Sequence, residues 1–233
     1  SGVVLISISG TDAWHSAHPG AAIGLLELSG VEKKLLSPEL NEHKREVEAR
    51  LRQDFIGCSR RELMMHPVMA AYVQYYKRFT MTYHVLLQVE SIIMKGKNLP
   101  DVSPLVDANF AAEVNTFVLT AGHDVAKLRE PIVIDTAHEA EEMTAMSGSQ
   151  KEVRKGNMVM RDQLGLCCSI LYGQDNRSPI TAETEHVLYV SYAPAGVPAI
   201  EIEEHLIQIR QNVYLFSPNA RVEQCRLLQA ESR

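Results

Sequence analysis

The spacing of apolar residues passes from helical to strand-like near Leu99–Pro104, and that change restricts the fold more than any other feature. Ahead of it, apolar positions recur every three to four residues, as on one face of a helix. Ser37-Pro38-Glu39 opens the first such run, with Ser37 as N-cap and Pro38 at the first helical position, where its missing N–H costs nothing. Leu40, Val47, Leu51 and Phe55 fall on one stripe, and Gly57 ends it. Ser59-Arg60-Arg61-Glu62 is a capping box that starts a short helix. Pro67 opens a run to Phe79 in which Tyr72, Tyr75, Tyr76 and Phe79 share a face, and His84 to Lys95 is helical by pattern up to Gly96. Leu99-Pro100 and Ser103-Pro104 then mark a boundary.

Beyond Pro104 the apolar runs are short and rich in β-formers: Thr116–Thr120, Ile132–Ile134, Met158–Met160, Gly165–Tyr172 and His186–Tyr192 are predicted strands. One late helix is predicted over Ala199–Leu215, with Ile202, Leu206, Ile209 and Val213 on its buried face, followed by a strand over Arg221–Leu228. Two strands are also predicted before the helices, Val3–Ile8 and Ala21–Leu28, with Thr11–Gly20 as the loop between them. Helices gathered in one part and strands in another predict an α+β protein. Residues 1–98, a strand pair and helical segment, and residues 99–233 are read either as two units or as one compact unit.

Composition narrows the class. With 45% hydrophobic and 22% charged residues, the chain is neither disordered nor fibrous. No apolar run approaches the roughly 20 residues that cross a bilayer. His84–Met94 is interrupted by Gln88, Glu90 and Ser91. Val3–Ile8 lacks the basic flank and the length of a secretory signal. Cys58, Cys167, Cys168 and Cys225 follow no C-x-x-C spacing and read as free thiols in a reducing cytoplasm, so a soluble cytoplasmic protein is expected. A net charge of -6 offers nucleic acid no overall attraction, so an RNA partner needs a local basic patch. Arg60, Arg61, Lys77 and Arg78 around the tyrosine helix are the candidates. The tyrosines themselves are either stacking platforms or core.

Several chemistries find no support. Of nine histidines the close pair is His15 and His18, in the predicted loop and without an H-E-x-x-H or Cys/His frame, so no metal is expected. Gly20, Gly24 and Gly30 match neither a Walker A loop nor G-x-G-x-x-G, and no cofactor is expected. A G-x-S-x-G elbow is absent, and Cys167 and Cys168 lie in an apolar strand, where core packing is the usual role.

The informative stretch runs from Leu99 to Phe216. It holds Val106-Asp107-Ala108-Asn109-Phe110, then His123-Asp124-Val125-Ala126-Lys127-Leu128, then Gly156-Asn157-Met158-Val159-Met160-Arg161-Asp162, then Ile180-Thr181-Ala182-Glu183-Thr184. In that order these segments resemble the B3/B4 domain of the phenylalanyl-tRNA synthetase β subunit, with its V-D-x-x-N, D-x-x-K-L, G-x-x-V-x-x-D and I/V-T-x-x-T motifs. Pro19-Gly20-Ala21, Arg50-Leu51-Arg52 and Tyr75-Tyr76-Lys77-Arg78-Phe79 resemble the lead-in of free-standing relatives, and 233 residues leave no room for a synthetase catalytic domain.

The resemblance implies a β-sandwich core of mixed strands with flanking helices, preceded by a helical segment. It implies tRNA or aminoacyl-tRNA as partner, and hydrolysis of mischarged aminoacyl-tRNA in trans by a positioned water. The alternative is a non-catalytic module that binds tRNA or an amino-acid-like ligand. Such editing exists because a pocket for an apolar side chain rejects near-isosteres weakly. This chain departs from the family pattern in three places. Asn109 matches the family's asparagine with one residue fewer in its motif; the family's histidine falls on Ala121, two residues before His123; and its glutamate falls on Pro179.

Six polar residues are therefore the candidate site. His123 is the expected catalytic group that orients water; Asn109, Thr181 and Thr184 would bind an ammonium or ester oxygen, with Asp124 beside them, and Arg177 would meet phosphate. Each also has a plain structural role open to it: Asp124 capping a turn, Thr181 and Thr184 as cap or strand threonines, and His123 in a surface loop.

Overall fold

In the computed structural model, which describes residues 6–232, the chain runs β1 (Ile8–Gly10), α1 (Asp12–Ala17), β2 (Ala22–Ser29), α2 (Pro38–Asp54), α3 (Arg60–Met64), α4 (Pro67–Arg78), α5 (His84–Ile93) and α6 (Pro104–Thr116). It continues through β3 (Leu119–Asp124), β4 (Ile132–Thr136), β5 (Glu141–Thr144), β6 (Gln150–Val153), β7 (Met158–Asp162), β8 (Gly165–Ser169) and β9 (Gly173–Gln174). β10 (Val187–Ala193), α7 (Ala199–Tyr214) and β11 (Arg221–Gln229) close it. The architecture is α+β. One sheet has the order β1-β4-β7-β8-β9, a second β11-β2-β10-β3, and β5-β6 is a separate hairpin.

β2 and β10 are buried along their whole length, and their alternation shows why. Ile23, Leu25, Leu188, Val190 and Tyr192 join the large core shared with Ile132, Ile134, Met158 and Met160 of the other sheet. Leu26, Leu28, Val187 and Tyr189 face the opposite way, into a second core with Leu206, Ile209 and Val213 of α7 and Ala108 and Ala112 of α6. A strand covered on both faces reads as a continuous apolar run. Gly24 lies under α7: a Cβ there would stand 2.9 Å from Cγ2 of Ile202, so the helix packs directly on the strand backbone.

The tyrosines of α4 are core, which resolves the choice left open by their spacing. Tyr72, Tyr75 and Tyr76 are almost wholly buried, and each hydroxyl engages a strand or its exit. Tyr72 donates to the carbonyl of Tyr192 in β10 and accepts from the Leu119 N–H of β3 at 3.0 Å. Tyr75 donates to Asn157 Oδ1 and accepts from the Met158 N–H of β7, both at 2.8 Å. Tyr76 donates to the carbonyl of Ile170, just past β8. One helix thereby ties the two sheets together. Base stacking on these rings is ruled out by their burial.

The segments before and after Leu99 are interleaved. β1 pairs in parallel with β4, and β2 is held between β10 and β11. The fully buried Lys44 of α2 reaches Asp101 at 2.5 Å and Asp107 of α6 at 3.1 Å. Both sheets take strands from either side of Leu99.

Several boundaries differ from the sequence reading. Thr11–Gly20 contains a helix, α1, whose N-cap Thr11 accepts from the Trp14 N–H at 3.1 Å, and Trp14 is fully buried. Ser103-Pro104 is a helix start, not only a boundary: α6 begins there and runs to Thr116, displacing the strand predicted over Thr116–Thr120 to Leu119–Asp124. α6 is buried on nearly all sides, so it carries no amphipathic signature. It also ends without glycine, on Phe117 at φ 70°. β8 stops at Ser169, short of Tyr172. The β5-β6 hairpin escaped notice because most of its side chains are charged or polar, with Met143 and Val153 as its buried apolar residues. Of the predicted first strand, Val3–Leu5 lies outside the described residues.

Tyr72→Phe leaves a buried carbonyl and a buried N–H without their partner. It is expected to cost about 1–3 kcal/mol, read as a lower denaturant midpoint at unchanged slope. A variant as stable as the parent would show that the hydroxyl does not tie β10 to β3.

Candidate functional site

A cavity of about 700 Å³ opens where α6 crosses β3 and meets the edge of the other sheet. Asn109, Phe110 and Glu113 of α6 form one wall; Leu119, Thr120, Ala121 and Gly122 of β3 form another. Cys168 and Ser169 of β8, Gly173 and Gln174 of β9 and Tyr192 of β10 line it, as does the loop Pro179–Thr184. Its rim carries the exposed apolar side chains of Leu35, Val102 and Met146. Lys33 stands at the mouth, bound to Glu183 at 3.2 Å and Glu185 at 3.0 Å. A mostly apolar cavity with a few fixed polar groups is the usual form of a small-ligand site.

The polar groups on its walls are held from behind. Asn109 donates through Nδ2 to the Thr120 carbonyl at 3.0 Å, while its buried Oδ1 has no partner. The Tyr192 hydroxyl, beside the Cys168 thiol, has no hydrogen bond of good geometry. Thr120 Oγ1 meets Ser191 Oγ at 2.7 Å and His205 Nε2 at 2.5 Å, and His205 Nδ1 meets Thr116 Oγ1 at 2.7 Å, so α6, β3, β10 and α7 share one buried network. Burial pushes His205 down to about 3, leaving the ring neutral.

Glu113 is the group that the sequence reading missed. Its side chain is buried, accepts a long 3.4 Å hydrogen bond from the Thr120 N–H, and has no Lys or Arg within ion-pair distance among the described residues. Burial raises it to about 8, against a weaker opposing effect of the Thr120 bond. The signal was a glutamate one helical turn after Asn109, which needs α6 to be recognised as a helix.

The structure separates the expected site residues. Asn109, Thr181 and Thr184 line the cavity; His123, Asp124 and Arg177 do not. His123 is fully buried within β3 rather than in a surface loop, its Nδ1 2.8 Å from Ser178 Oγ, which donates to Asp175 Oδ1 at 2.8 Å. Burial lowers it to about 4, so it is a neutral core residue out of reach of water. Arg177 pairs with Asp162 at 3.2 Å and Asp175 at 3.3 Å and does not line the cavity. Asp124 caps the turn after β3, accepting from the Ala126 N–H at 3.1 Å and from Thr184 Oγ1 at 3.0 Å. Thr184 is thereby turned toward Asp124, and Thr181 accepts from the Glu183 N–H at 3.2 Å.

The two positions at which the resembled family carries histidine and glutamate, Ala121 and Pro179, both line the cavity. The basic candidates lie elsewhere. Arg60, Arg61, Lys77 and Arg78 are exposed, Arg60 bound to Glu90 at 2.6 Å and Arg78 set 4.8 Å above the Tyr75 ring. Among the described residues no three His, Cys, Asp or Glu side chains converge as a metal site requires, and no helix is long and apolar enough to cross a membrane.

The two kinds of buried group give opposite pH dependences. His123 and His205 sit below their unfolded value of 6.5, so their contribution is complete above it and is lost as pH falls toward 4 and 3. Glu113 sits above its unfolded 4.5, so its contribution is present below 4.5 and is lost as pH rises through about 8. Glu113→Gln is therefore expected to gain stability over the parent between pH 5 and pH 9, by an amount on the order of a few kcal/mol, in melts across that range. A difference constant with pH would show that Glu113 is not buried as described.

Comparison with known proteins agrees in kind. Residues 70–210 match the family model described as the B3/4 domain, a match that begins inside α4 and ends inside α7. The crystal structure of an N-terminal fragment of the phenylalanyl-tRNA synthetase beta-subunit from Pyrococcus horikoshii is similar at a TM-score of 0.47 and 7% identity, over 94% of this chain and 50% of that one. The chain thus spans about half the length of that fragment. No curated protein sequence matches it.

Proposed function

The chain belongs to the B3/4 domain family, and from that premise we propose that its cavity receives the aminoacyl end of a charged tRNA and that the protein hydrolyses mischarged aminoacyl-tRNA in trans. The observation that carries this reading is the cavity itself: about 700 Å³ with mostly apolar walls, on which the unpartnered Asn109 Oδ1 and the loop residues Thr181 and Thr184 are among the polar groups. In the reaction a water attacks the ester carbonyl, the bond to the ribose oxygen breaks, and a free amino acid and a deacylated tRNA leave. With His123 buried in the core, the water is placed by cavity groups and by hydroxyls of the tRNA, not by an imidazole. The exposed Arg60, Arg61, Lys77 and Arg78 provide the basic contacts that an acidic chain needs for RNA.

A second reading rests on one observation. Ala121 and Pro179 place methyl and ring carbons where the resembled family carries polar side chains, which suits a module that binds an amino-acid-like ligand without cleaving it.

Release of labelled amino acid from a panel of mischarged tRNAs, beginning with tyrosine on the phenylalanine tRNA, separates the two. Activity in the parent, lowered about a hundredfold by the cavity-filling Ala121→Leu, is expected. Uncatalysed rates across the panel would leave the binding module. If all four basic residues meet phosphates, tRNA affinity should fall about a hundredfold between 50 and 200 mM salt, and unchanged affinity would remove them as contacts.

A further inference from the structure

We infer that Glu113 is the cation-recognition group of the cavity and takes the protonated amine of the ligand, such as the free α-amino group of an aminoacyl ester. The inference rests on the reading that the cavity is a ligand site, and adds which group of the ligand is recognised and by what.

A carboxyl group on the wall of an apolar cavity with no Lys, Arg or backbone cluster to balance it is costly to ionise. Among the described residues Glu113 has only the long Thr120 N–H bond. One turn earlier on the same helix face, Asn109 offers an acceptor oxygen that is 5% exposed as a residue and unpartnered. An ammonium carries three donors and one positive charge. Glu113 would supply the charge and Asn109 Oδ1 a second acceptor, so the two unmet requirements of the wall are satisfied by one ligand group. A neutral or anionic group would leave the carboxyl unbalanced.

The other titratable groups around it do not change charge from pH 7 to pH 9. Tyr72 and Tyr76 of α4, Tyr83 before α5 and Tyr192 of β10 are raised by burial, as is the Cys168 thiol of β8, to about 12. His205 of α7 is lowered by burial, and His84 of α5, open to solvent on the cavity side, is lowered by the protein crowded around it. At the mouth, Lys33 is held protonated by Glu185 and Glu183, and Lys34 pairs with Glu32 at 3.6 Å. Within the cavity, Glu113 alone among these passes from neutral to charged in that interval, being raised to about 8.

The test is binding of 2-phenylethylamine and of 2-phenylethanol, equal in shape and different in charge, followed by NMR titration of the whole chain at pH 7 and pH 9. If Glu113 must be ionised to hold the amine, its affinity should rise about eightfold from pH 7 to pH 9, as the competent fraction grows from about a tenth to about nine tenths and the amine loses little of its own proton. The alcohol should bind equally at both. Glu113→Gln should abolish the rise while still binding the alcohol, which also shows that its cavity is intact. An amine affinity that rises equally in Glu113→Gln, an amine that binds no better than the alcohol at pH 9, or a cavity that takes neither probe would overturn the inference. The measurement involves no tRNA and no hydrolysis. A pH-dependent amine site in a protein inactive on every mischarged tRNA would sink the deacylase and keep Glu113; active protein with pH-independent amine binding would do the reverse.

Discussion

The hydroxyls of one helix hold this fold in register. Tyr72, Tyr75 and Tyr76 sit within two turns of α4, and their rings fill the core between sheets while their oxygens reach past it to strand backbones on either side. A buried phenol without a partner costs free energy, and so does a buried peptide group, so each bond removes two penalties at once. The Met158 and Leu119 N–H groups both donate to these oxygens. Tyr83 extends the arrangement: its ring stacks on Tyr72 at 4.4 Å and its hydroxyl reaches the Phe117 carbonyl at 2.8 Å. Phe117 is the left-handed residue that turns α6 into β3. The angle at which those two elements diverge, and with it the cavity between them, is therefore set by the same aromatic group.

The molecule uses buried charge in two different ways. On one side of the sheet edge, Asp162, Asp175 and Arg177 neutralise one another, and Asp162 also accepts from the N–H groups of Arg129 at 3.0 Å and Leu164 at 2.8 Å. His123 and Ser178 complete that cluster as neutral partners. Its charges are balanced among themselves, although His123 Nε2 and Arg177 Nη1 make no hydrogen bond among the described residues. On the other side, where α6 faces β3, the cavity keeps among the described residues a carboxyl without a cation and an amide oxygen without a partner. A buried carboxyl paired with a cation costs less to ionise than one that is not. His123 and Ala121 differ by two positions in β3 and face the same way, yet one closes a network and the other borders a space.

Membership of the B3/4 domain family accounts for the motif order without fixing the chemistry. Asp162 of the G-x-x-V-x-x-D segment and Asp124 of the D-x-x-K-L segment cap turns, and Asn157 is held between Tyr75 and Ser169. These motif residues build the scaffold. Asn109, Thr181 and Thr184 are the part of the motif set that reaches the cavity. The cavity wall that the motif set supplies comes from α6 and from the loop before β10, not from the capped turns.

Local chemistry made much of the fold legible in the sequence. The Ser37 and Ser59 caps, the Gly57 stop, the α4 face and the late helix α7 follow from backbone donors that need partners and from apolar spacing, both of which act over a few residues. The resemblance in motif order likewise named the family before any coordinates. What needed the tertiary structure was everything set by burial from distant segments. α6 is enclosed by α2, α7 and β3 and so shows no polar face to read. His123 is a core residue because Ser178, 55 positions on, folds over it, and Glu113 lacks a countercharge because no Lys or Arg among the described residues comes within ion-pair distance of it. The sequence by itself determined which segments turn, cap and alternate. Which polar groups are neutralised and which are left facing an open space is decided by the desolvation and pairing that long-range packing imposes.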